Sequence, residues 1–420
     1  MKMDAAMKTV AISGQRLSSR IEQLGQIGRT KDNGVQRLAL TEEDREATLL
    51  VSEWMKEAGL TVSHDHFGNL IGRKEGKNPA LPPVMIGSHI DSVRNGGKFD
   101  GIIGVLAGIE VAHVISETDF SHEHPLEVVA FCEEEGSRFY DGLFGSRGMV
   151  GKVLEEDLQK VDDNHITRYE ALKTFGFGIN PDQIKQSVRK IGDIKLYLEL
   201  HIEQGPFLDM NQYPVGIVSG IAGPSWFTVR LVGEAGHAGT VPMNFRKDPM
   251  MGAAEVIKEV EDLCMENPDA PTVGTVGKIA VFPGGNNIIP ESVEFTLDIR
   301  DIELERRNTI IEKIEKKIQL VSRARGLEYK IEKNVDAAPV KCSEDLVNTL
   351  KEASKDLVIE APVMVSGAGH DAMFLAEIAE IGMVFVRCRK GISHQPKEWA
   401  DINDIVTGTK VIYEAVLKHI

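Results

Sequence analysis

Residues 83–101 read PVMIGSHIDSVRNGGKFDG, an apolar run followed by one histidine, two aspartates and a glycine-rich loop. The apolar run predicts a short buried strand that ends at His89. The next residues, GIIGVLAGIEVAHVIS at 101–116, predict an apolar helix that begins just after Asp100. A solvated loop and a metal site are the two interpretations of the acids and the histidine between this strand and this helix.

The same pattern of a buried strand followed by polar residues recurs three times. LEVVAFC (126–132) leads into EEEGSRF, IKLYLEL (194–200) leads into HIEQGP, and GMVFVRC (382–388) leads through a short loop into GISH. Helical patterns separate these strands, and TEEDREATLLVSEWMKEAGL (41–60) is a further helix with a threonine cap. Strands that alternate with helices predict an α/β fold with a doubly wound, mostly parallel sheet.

A different order of elements begins near residue 216. Strands at 225–233, 274–283 and 291–301 combine with helices and a final strand in the order β-α-β-β-α-β. This order predicts a ferredoxin-like domain at 216–334, inserted between residues 1–215 and 335–420 of the first domain. The long amphipathic helix at 303–325 is expected to cover the inserted sheet with its apolar face.

Composition narrows the class of protein. The chain has 420 residues, 42% of them hydrophobic, and a formal charge of −16 without a basic cluster, which argues against a nucleic-acid partner. It has no apolar run of about 18 residues, so no membrane span is expected. The N-terminal stretch lacks an apolar core, so no signal peptide is expected, and four dispersed cysteines fit a reducing compartment. We therefore expect a cytoplasmic enzyme.

Histidines and acids cluster where the predicted strands end. They are His89, Asp91, Asp100, Glu133, Glu134, Glu135, His201 and His394. In an open α/β sheet, ligands bind outside the carboxyl ends of the strands, so these side chains are expected at one edge. Imidazoles with carboxylates suit Zn²⁺, Mn²⁺, Co²⁺ or Ni²⁺. Five such ligands are more than one tetrahedral metal ion binds. They suit two metal ions that lie about 3.5–4 Å apart and share one carboxylate.

Two further roles are indicated by the residue types. Asp91 lies two residues after His89 and is placed to orient that imidazole. A row of three glutamates is costly to bury without a cation, and one of the three can act as a general base that activates water. A charged surface loop is the alternative interpretation of EEE taken by itself.

Seven motifs together carry a family resemblance, in the same order and over nearly the whole chain. They are GSHIDSVRNGGKFDG, EEEGSRF, ELHIEQGP, GHAGTVPM, GGNNIIPE, SGAGHDA and GISH. The chain resembles the amidase, hydantoinase and carbamoylase branch of the dinuclear aminoacylase/carboxypeptidase-like metallohydrolases.

The resemblance implies a role for each ligand. His89 and His201 bind one metal ion, Glu135 and His394 bind the other, and Asp100 bridges them. Glu134 is the general base that activates water and passes its proton to the leaving nitrogen. Relatives outside this branch place their glycine one position later. In their register Glu133 is the base and Glu134 the ligand.

The resemblance also implies a substrate site. His237 stabilises the oxyanion, while Asn287 and Arg300 hold a substrate carboxylate. Gln204 contacts the substrate, as do Gly369 and His370 at the edge of the cleft. From the residues alone, His237, Asn287, Gly369 and His370 are turn residues, and Arg300 forms a surface ion pair. The inserted domain is expected to act as a lid and, through its sheet edge, to form a homodimer.

The implied activity is hydrolysis of a linear amide C–N bond in a carboxylate-bearing ureido compound. The substrate expected first is an N-carbamoyl-L-amino acid, and allantoate is the alternative. His201 argues against an aminoacylase or dipeptidase, since peptidase relatives often carry a carboxylate at its position. A non-catalytic binding protein with this fold is a further alternative. The complete ligand set, with a base beside it, argues against that alternative.

Overall fold

The computed structural model describes residues 12–420. Residues 1–11 contain most of the stretch in which we expect no signal peptide, and they lie outside the described residues. The described chain divides into two compact units. The first unit comprises residues 12–219, 342–364 and 370–420, and the second comprises Gly220–Lys341 and Val365–Gly369.

The helices form largely where the sequence predicts them. Helix α2 begins after Thr41, whose hydroxyl accepts the backbone N–H of Asp44 at 3.4 Å, and acids fill its first turn. The helices are α1 (Gly14–Leu24), α2 (Glu42–Glu57), α3 (Ile102–Glu117), α4 (Phe144–Met149), α5 (Glu155–Leu158), α6 (Arg168–Phe175), α7 (Phe207–Asn211), α8 (Pro249–Met265), α9 (Leu304–Arg325), α10 (Glu344–Asp356), α11 (Ala372–Leu375) and α12 (Ile402–Leu417). Short 3₁₀ segments are Pro181–Ser187, Met243–Phe245 and Arg389–Gly391.

The strands belong to two main sheets and one two-stranded ribbon. They are β1 (Thr61–His64), β2 (Leu70–Lys74), β3 (Val84–His89), β4 (Leu126–Phe131), β5 (Leu196–Ile202), β6 (Val215–Ile221), β7 (Gly223–Val232), β8 (Gly236–His237), β9 (Val273–Thr275), β10 (Ile279–Phe282), β11 (Ile288–Ile289), β12 (Ser292–Asp301), β13 (Glu328–Asp336), β14 (Val340–Lys341), β15 (Val363–Ser366) and β16 (Glu380–Val386).

The larger sheet has the order β1-β2-β4-β3-β5-β16-β6-β14, with β15 beside β6. Its central strands β4, β3, β5 and β16 are parallel, and the strands on either side of them are antiparallel. The prediction of a mixed α/β fold around a central parallel sheet is confirmed. Because the four parallel strands point the same way, their carboxyl ends meet at one edge.

Packing explains why the central strands are apolar. Every residue of β3, β4 and β5 is buried, and α3 packs against all three strands with nearly its whole surface buried. Strand β5 continues through Ile202, which pairs with Val386. His201 therefore lies inside the strand and does not come after it, contrary to the expectation from sequence. Within residues 12–420, no helix has both the length and the apolar character needed to cross a bilayer.

The second unit contains the antiparallel sheet β10-β12-β7-β13, with β9 also paired to β12. Along the chain its main elements are β7, α8, β9, β10, β12, α9 and β13. Helices α8 and α9 pack on the sheet, and Ile310, Ile314 and Ile318 of α9 contribute to the apolar core, so the predicted role of this helix is confirmed.

The strand predicted at 274–283 is divided into β9 and β10, so this prediction of one strand is wrong. Thr275 pairs with Asp298 and Ile279 with Phe295. Three residues on one side therefore lie opposite two on the other. The extra residue is a β-bulge, and Gly277 lies within it.

Candidate metal centre

The carboxyl ends of β3 and β5 bring His89 and His201 together, with imidazole centroids 5.9 Å apart. Asp100 joins them, its Oδ1 atom 3.2 Å from Nε2 of His201. Ligand atoms of these three buried residues lie within 4.8 Å of one another. The loop from β3 returns to His89 at Gly101, where φ is 66° and a side chain would overlap the imidazole. The glycine is therefore needed at this close approach.

A second group shares Asp100. Its Oδ2 atom lies 3.0 Å from Nε2 of His394, and Oε2 of Glu135 lies 3.7 Å from the same nitrogen. Ligand atoms of Asp100, Glu135 and His394 again lie within 4.8 Å of one another. The half-exposed His394 adopts a φ of 57°, a left-handed conformation uncommon for residues other than glycine. The structure thus brings the five predicted ligands into two groups that meet at Asp100.

Glu398 holds these two groups together, and its role is not apparent from the sequence. One of its carboxylate oxygens accepts the backbone N–H groups of Phe99 and Asp100 at 2.9 and 3.1 Å. The other accepts the N–H of His394 at 3.3 Å. A glutamate four residues after the histidine of GISH was the available signal.

The three consecutive glutamates point in different directions. Oε2 of Glu134 lies 3.5 Å from Nε2 of His89, and Glu135 belongs to the second group. Glu133 instead accepts the Nε–H of Arg168 at 2.8 Å. This placement brings Glu134 and Glu135 to the histidines and leaves Glu133 with Arg168.

Asp91 links the histidine loop to the glutamates. Its carboxylate oxygens accept the backbone N–H groups of Glu134 and Glu135, each at 3.2 Å. The nearest partner of His89 Nδ1 is the backbone carbonyl of Asp91 at 3.1 Å, with the carboxylate at 3.5 Å. Asp91 therefore orients His89 mainly through its main chain, and its side chain fixes the glutamates.

The charges at this edge favour a bound cation. Burial, together with the charge of Asp100, raises the pKa of Glu135 to about 8. Burial also disfavours ionised Asp100, but the hydrogen bond to His394 and the charges of His201 and His89 hold its pKa below the usual range. Among residues 12–420, Oδ1 of Asp100 and Oε1 of Glu135 are buried without a hydrogen-bond donor. Buried acceptors beside imidazoles fit divalent metal ions.

Two other predicted residues lie in the first unit. Gln204 is placed against the ligands, with Nε2 at 2.9 Å from Oδ2 of Asp100 and 3.2 Å from Nε2 of His394. His370 is buried, its ring 4.5 Å from that of His201.

Glu199 lies near both histidines, and the sequence motifs do not single it out. Its carboxylate accepts the hydroxyls of Ser88 at 2.8 Å and Tyr197 at 3.1 Å. Glu199, His201 and His370 form a further candidate metal-binding group. The signal was a glutamate in a buried strand, two residues before His201 and hence on the same face of β5.

The remaining predicted residues lie in the second unit. His237 is exposed on β8. The backbone N–H of the next residue, Ala238, donates to the carbonyl of Asn287 at 2.9 Å, so His237 and Asn287 are neighbours. Arg300 lies on β12, where Nη2 is 2.8 Å from Oδ2 of Asp298 and Nη1 donates to the carbonyl of Gly367 at 2.7 Å. Gly369 is exposed, two residues further along.

The chain is similar to known proteins over nearly its whole length. The sequence profile of Peptidase family M20/M25/M40 matches residues 85–418. The chain is 79% identical, over 414 residues, to an N-carbamoyl-L-amino-acid amidohydrolase of Pseudomonas sp. (strain NS671), covering 99% of this chain and 100% of that protein. It is 35% identical over 431 residues to an allantoate deiminase of Arabidopsis thaliana, covering 96% and 82% respectively.

A solved structure is similar over the same extent. It is an amidase of the hydantoinase/carbamoylase family from Burkholderia multivorans, with a TM-score of 0.92 and 34% sequence identity over 98% of both chains.

Proposed function

The chain belongs to Peptidase family M20/M25/M40, and on this premise we propose that it is a metal-dependent amidohydrolase of N-carbamoyl-L-amino acids. It cleaves the carbamoyl C–N bond to give the L-amino acid, CO₂ and NH₃. The observation that carries the proposal is the 79% identity, over 99% of this chain, to an amidohydrolase named for that substrate class. The resemblance inferred from the seven motifs is confirmed.

Allantoate is the less favoured substrate. The allantoate deiminase to which the chain is similar is 35% identical, against 79% for the carbamoyl amidohydrolase. Both substrates carry a ureido group and a carboxylate, so the metal ligands and Arg300 do not distinguish them. The preference therefore rests on the identity over the whole chain.

The predicted ligands would hold two divalent cations, drawn from Zn²⁺, Mn²⁺, Co²⁺ and Ni²⁺. His89 and His201 would hold one cation, Glu135 and His394 would hold the other, and Asp100 would contribute to both. When bound, the cations supply Lewis acidity, which lowers the pKa of water and polarises the carbamoyl carbonyl. Among the described residues, the buried Oδ1 of Asp100 and Oε1 of Glu135 accept no hydrogen bond, which supports this assignment.

Glu134 acts as the general base. It takes a proton from the water that attacks the carbamoyl carbon and delivers a proton to the nitrogen that leaves. Two features support the role: its carboxylate lies beside His89, and the contact of its backbone N–H with Asp91 fixes its position. Glu133 is committed to Arg168 and is unsuited to the same role.

The remaining predicted residues are proposed to bind the substrate. We assign the oxyanion to His237, the substrate carboxylate to Asn287 and Arg300, and further substrate contacts to Gln204, Gly369 and His370. Asp298 and the Gly367 carbonyl fix the guanidinium of Arg300, which supports its use as a preorganised carboxylate ligand.

We propose that residues 1–215 and 335–420 form the catalytic domain and residues 216–334 a ferredoxin-like lid. The strand order β10-β12-β7-β13 and the two helices of the second unit support that assignment. The lid also provides the contact of a homodimer, and the protein acts in the cytoplasm.

Ammonia release tests the proposal. Purified protein loaded with Mn²⁺ or Co²⁺ is assayed with N-carbamoyl-L-methionine and with allantoate, each with and without a chelator. We expect chelator-sensitive release from the carbamoyl amino acid alone. Release from allantoate alone would change the assigned substrate to allantoate and leave the residue roles unchanged. No release from either compound would contradict the proposed substrate class.

A further inference from the structure

The segment that carries the proposed base and one proposed ligand has an unusual backbone. Residues 132–135, which we call the glutamate turn, come directly after β4. Glu133 has a φ of 55°, a left-handed conformation that residues other than glycine seldom adopt. Such a conformation persists only where surrounding contacts impose it, and it occurs preferentially at functional sites.

The side chain of Glu133 is fixed by Arg168. The Nε–H of Arg168 donates to Oε2 of Glu133 at 2.8 Å, and the N–H of Phe139 donates to Oε1 at 3.1 Å. The Arg168 guanidinium also donates to the carbonyls of Asp157 at 2.7 Å and Asp141 at 3.2 Å. Both partners are at most 1% exposed. The ion pair is thus buried and its guanidinium is extensively hydrogen-bonded, the arrangement that makes such a pair geometrically specific.

The main chain of the glutamate turn is equally constrained. The carbonyls of Cys132, Glu133 and Glu134 accept the N–H groups of Gly145, Phe144 and Leu143 at 2.8, 3.1 and 2.8 Å. The carboxylate of Asp91 takes the N–H groups of Glu134 and Glu135. Within the glutamate turn, the side chains of Glu134 and Glu135 lie near His89 and His394, whereas that of Glu133 is held by Arg168.

We propose that Arg168 is a positioning residue for the metal centre: through its ion pair with Glu133, it sets the direction in which Glu134 and Glu135 leave the glutamate turn. This inference rests on the proposed function, because it takes Glu134 as base and Glu135 as ligand. Arg168 lies in the first turn of α6. It forms a hydrogen bond with Glu133 but none with Glu134 or Glu135.

Arg147 supplies a matched comparison. Its Nη2 atom lies 2.6 Å from Oδ2 of Asp141 and 3.4 Å from Oδ1 of Asp157, so it ties together the same two residues as Arg168. Within the described chain its guanidinium pairs with none of the three glutamates. We therefore expect the loss of Arg147 to loosen the loop that contains Asp141 and Asp157 without releasing Glu133.

The experiment compares Arg168→Met, Arg168→Lys, Glu133→Gln and Arg147→Met in the full chain. Co²⁺ affinity is measured by titration of the visible absorption of the cobalt, kcat and KM are measured with N-carbamoyl-L-methionine, and thermal unfolding reports the fold. We expect Arg168→Met and Glu133→Gln to weaken Co²⁺ binding about tenfold and to lower kcat about 10- to 100-fold, with KM little changed. Arg168→Lys keeps the charge and recovers part of both losses. Arg147→Met lowers the unfolding temperature but keeps native Co²⁺ affinity and kcat.

Two results would overturn the inference. One is native Co²⁺ affinity and kcat in Arg168→Met, and the other is an equal loss of both in Arg147→Met. If Arg168→Met does not fold, Arg168→Lys and Glu133→Gln provide the same comparison with Arg147→Met. If the native protein does not hydrolyse the carbamoyl substrate but the Co²⁺ affinities still differ as expected, the proposed function fails and the positioning role stands.

Discussion

The side-chain nitrogen of Gln204 lies 2.9 Å from Oδ2 of Asp100, within the group of proposed metal ligands. An amide N–H is a hydrogen-bond donor, so it competes with a cation for the lone pairs of that oxygen. The contact places the amide of Gln204 beside the proposed metal ligands, where we expect this donor to weaken cation binding at Oδ2 of Asp100.

Replacement of Gln204 by alanine should separate this effect from the proposed contact with the substrate. We expect KM for the carbamoyl substrate to rise up to about tenfold, the effect of losing one neutral hydrogen bond. Co²⁺ affinity should be native or higher, because the competing donor is gone. Gln23→Ala, at an exposed position on α1, is the control for both measurements. Weaker Co²⁺ binding in Gln204→Ala would instead make Gln204 a supporter of the metal centre.

Asp100→Asn should remove both metal ions and the activity. The substitution keeps the shape of the side chain but removes the charge that both groups of ligands share. We expect a loss of turnover greater than about a hundredfold, since even residues that only support metal ligands cost that much. Metal content by elemental analysis and ammonia release are the measurements. Asp356→Asn, on the exposed end of α10, should behave as native, and native metal content in Asp100→Asn would show that the site is wrong.

Glu134→Gln should inactivate the enzyme without removing its metal ions. A glutamine cannot accept the proton of the attacking water, and we expect kcat to fall about 10²- to 10⁴-fold. Metal content should stay native because Glu135 supplies the ligand. Loss of one metal ion from Glu134→Gln would support the other register, in which Glu133 is the base.

Arg300→Lys tests recognition of the substrate carboxylate. Lysine keeps the charge but loses the planar pair of donors, so we expect KM to rise about 10- to 100-fold. The ratio of kcat/KM for the carbamoyl amino acid to that for its carboxamide analogue should fall with it. Arg325→Lys removes a guanidinium paired with Glu255 in the same unit and should change neither value. An unchanged ratio in Arg300→Lys would place carboxylate recognition elsewhere.

His64 should make the protein less stable in acid. Its ring stacks on Phe177 with centroids 4.3 Å apart, and burial lowers its pKa from 6.5 to about 4. The folded state resists protonation of His64, whereas the unfolded state does not. The free energy of unfolding therefore keeps the contribution of His64 above pH 6.5 and loses it as pH falls toward 4.

Urea unfolding at pH 7.5 and pH 4.5 measures this contribution. The loss of unfolding free energy between the two values should be about 1–2 kcal/mol smaller in His64→Phe than in the native protein. Equal losses in the two proteins would contradict the assignment to His64.

The strands that carry the ligands were predictable because burial on both faces leaves a distinctive apolar run. His89 ends such a run, Glu134 and Glu135 lie just beyond another, and parallel strands bring the residues at their carboxyl ends to one edge. The start of α2 was equally predictable, since Thr41 and the acids after it form a local capping pattern.

Contacts between distant parts of the chain were not predictable from these patterns. Glu133 and Arg168 are 35 residues apart, and nothing local marks Arg168 as the partner of one glutamate among three. Glu398 and Glu199 likewise form hydrogen bonds with residues that only the folded chain brings near them. The bulge at Gly277 likewise depends on which residues of β12 lie opposite, which the alternation of a single strand does not specify.

The bonds of Glu398 also constrain the order of events during synthesis. Its carboxylate accepts the N–H of Phe99, made 299 residues earlier. The ribosome completes His89 and Asp100 long before His394 and Glu398. His89, Asp100 and His201 have all been added once the chain reaches the end of β5, whereas the group of Asp100, Glu135 and His394 is complete only when residue 394 has been added. On the proposed assignment, the second cation can therefore bind only late in synthesis, after β3, β4, β5 and β16 have all been made.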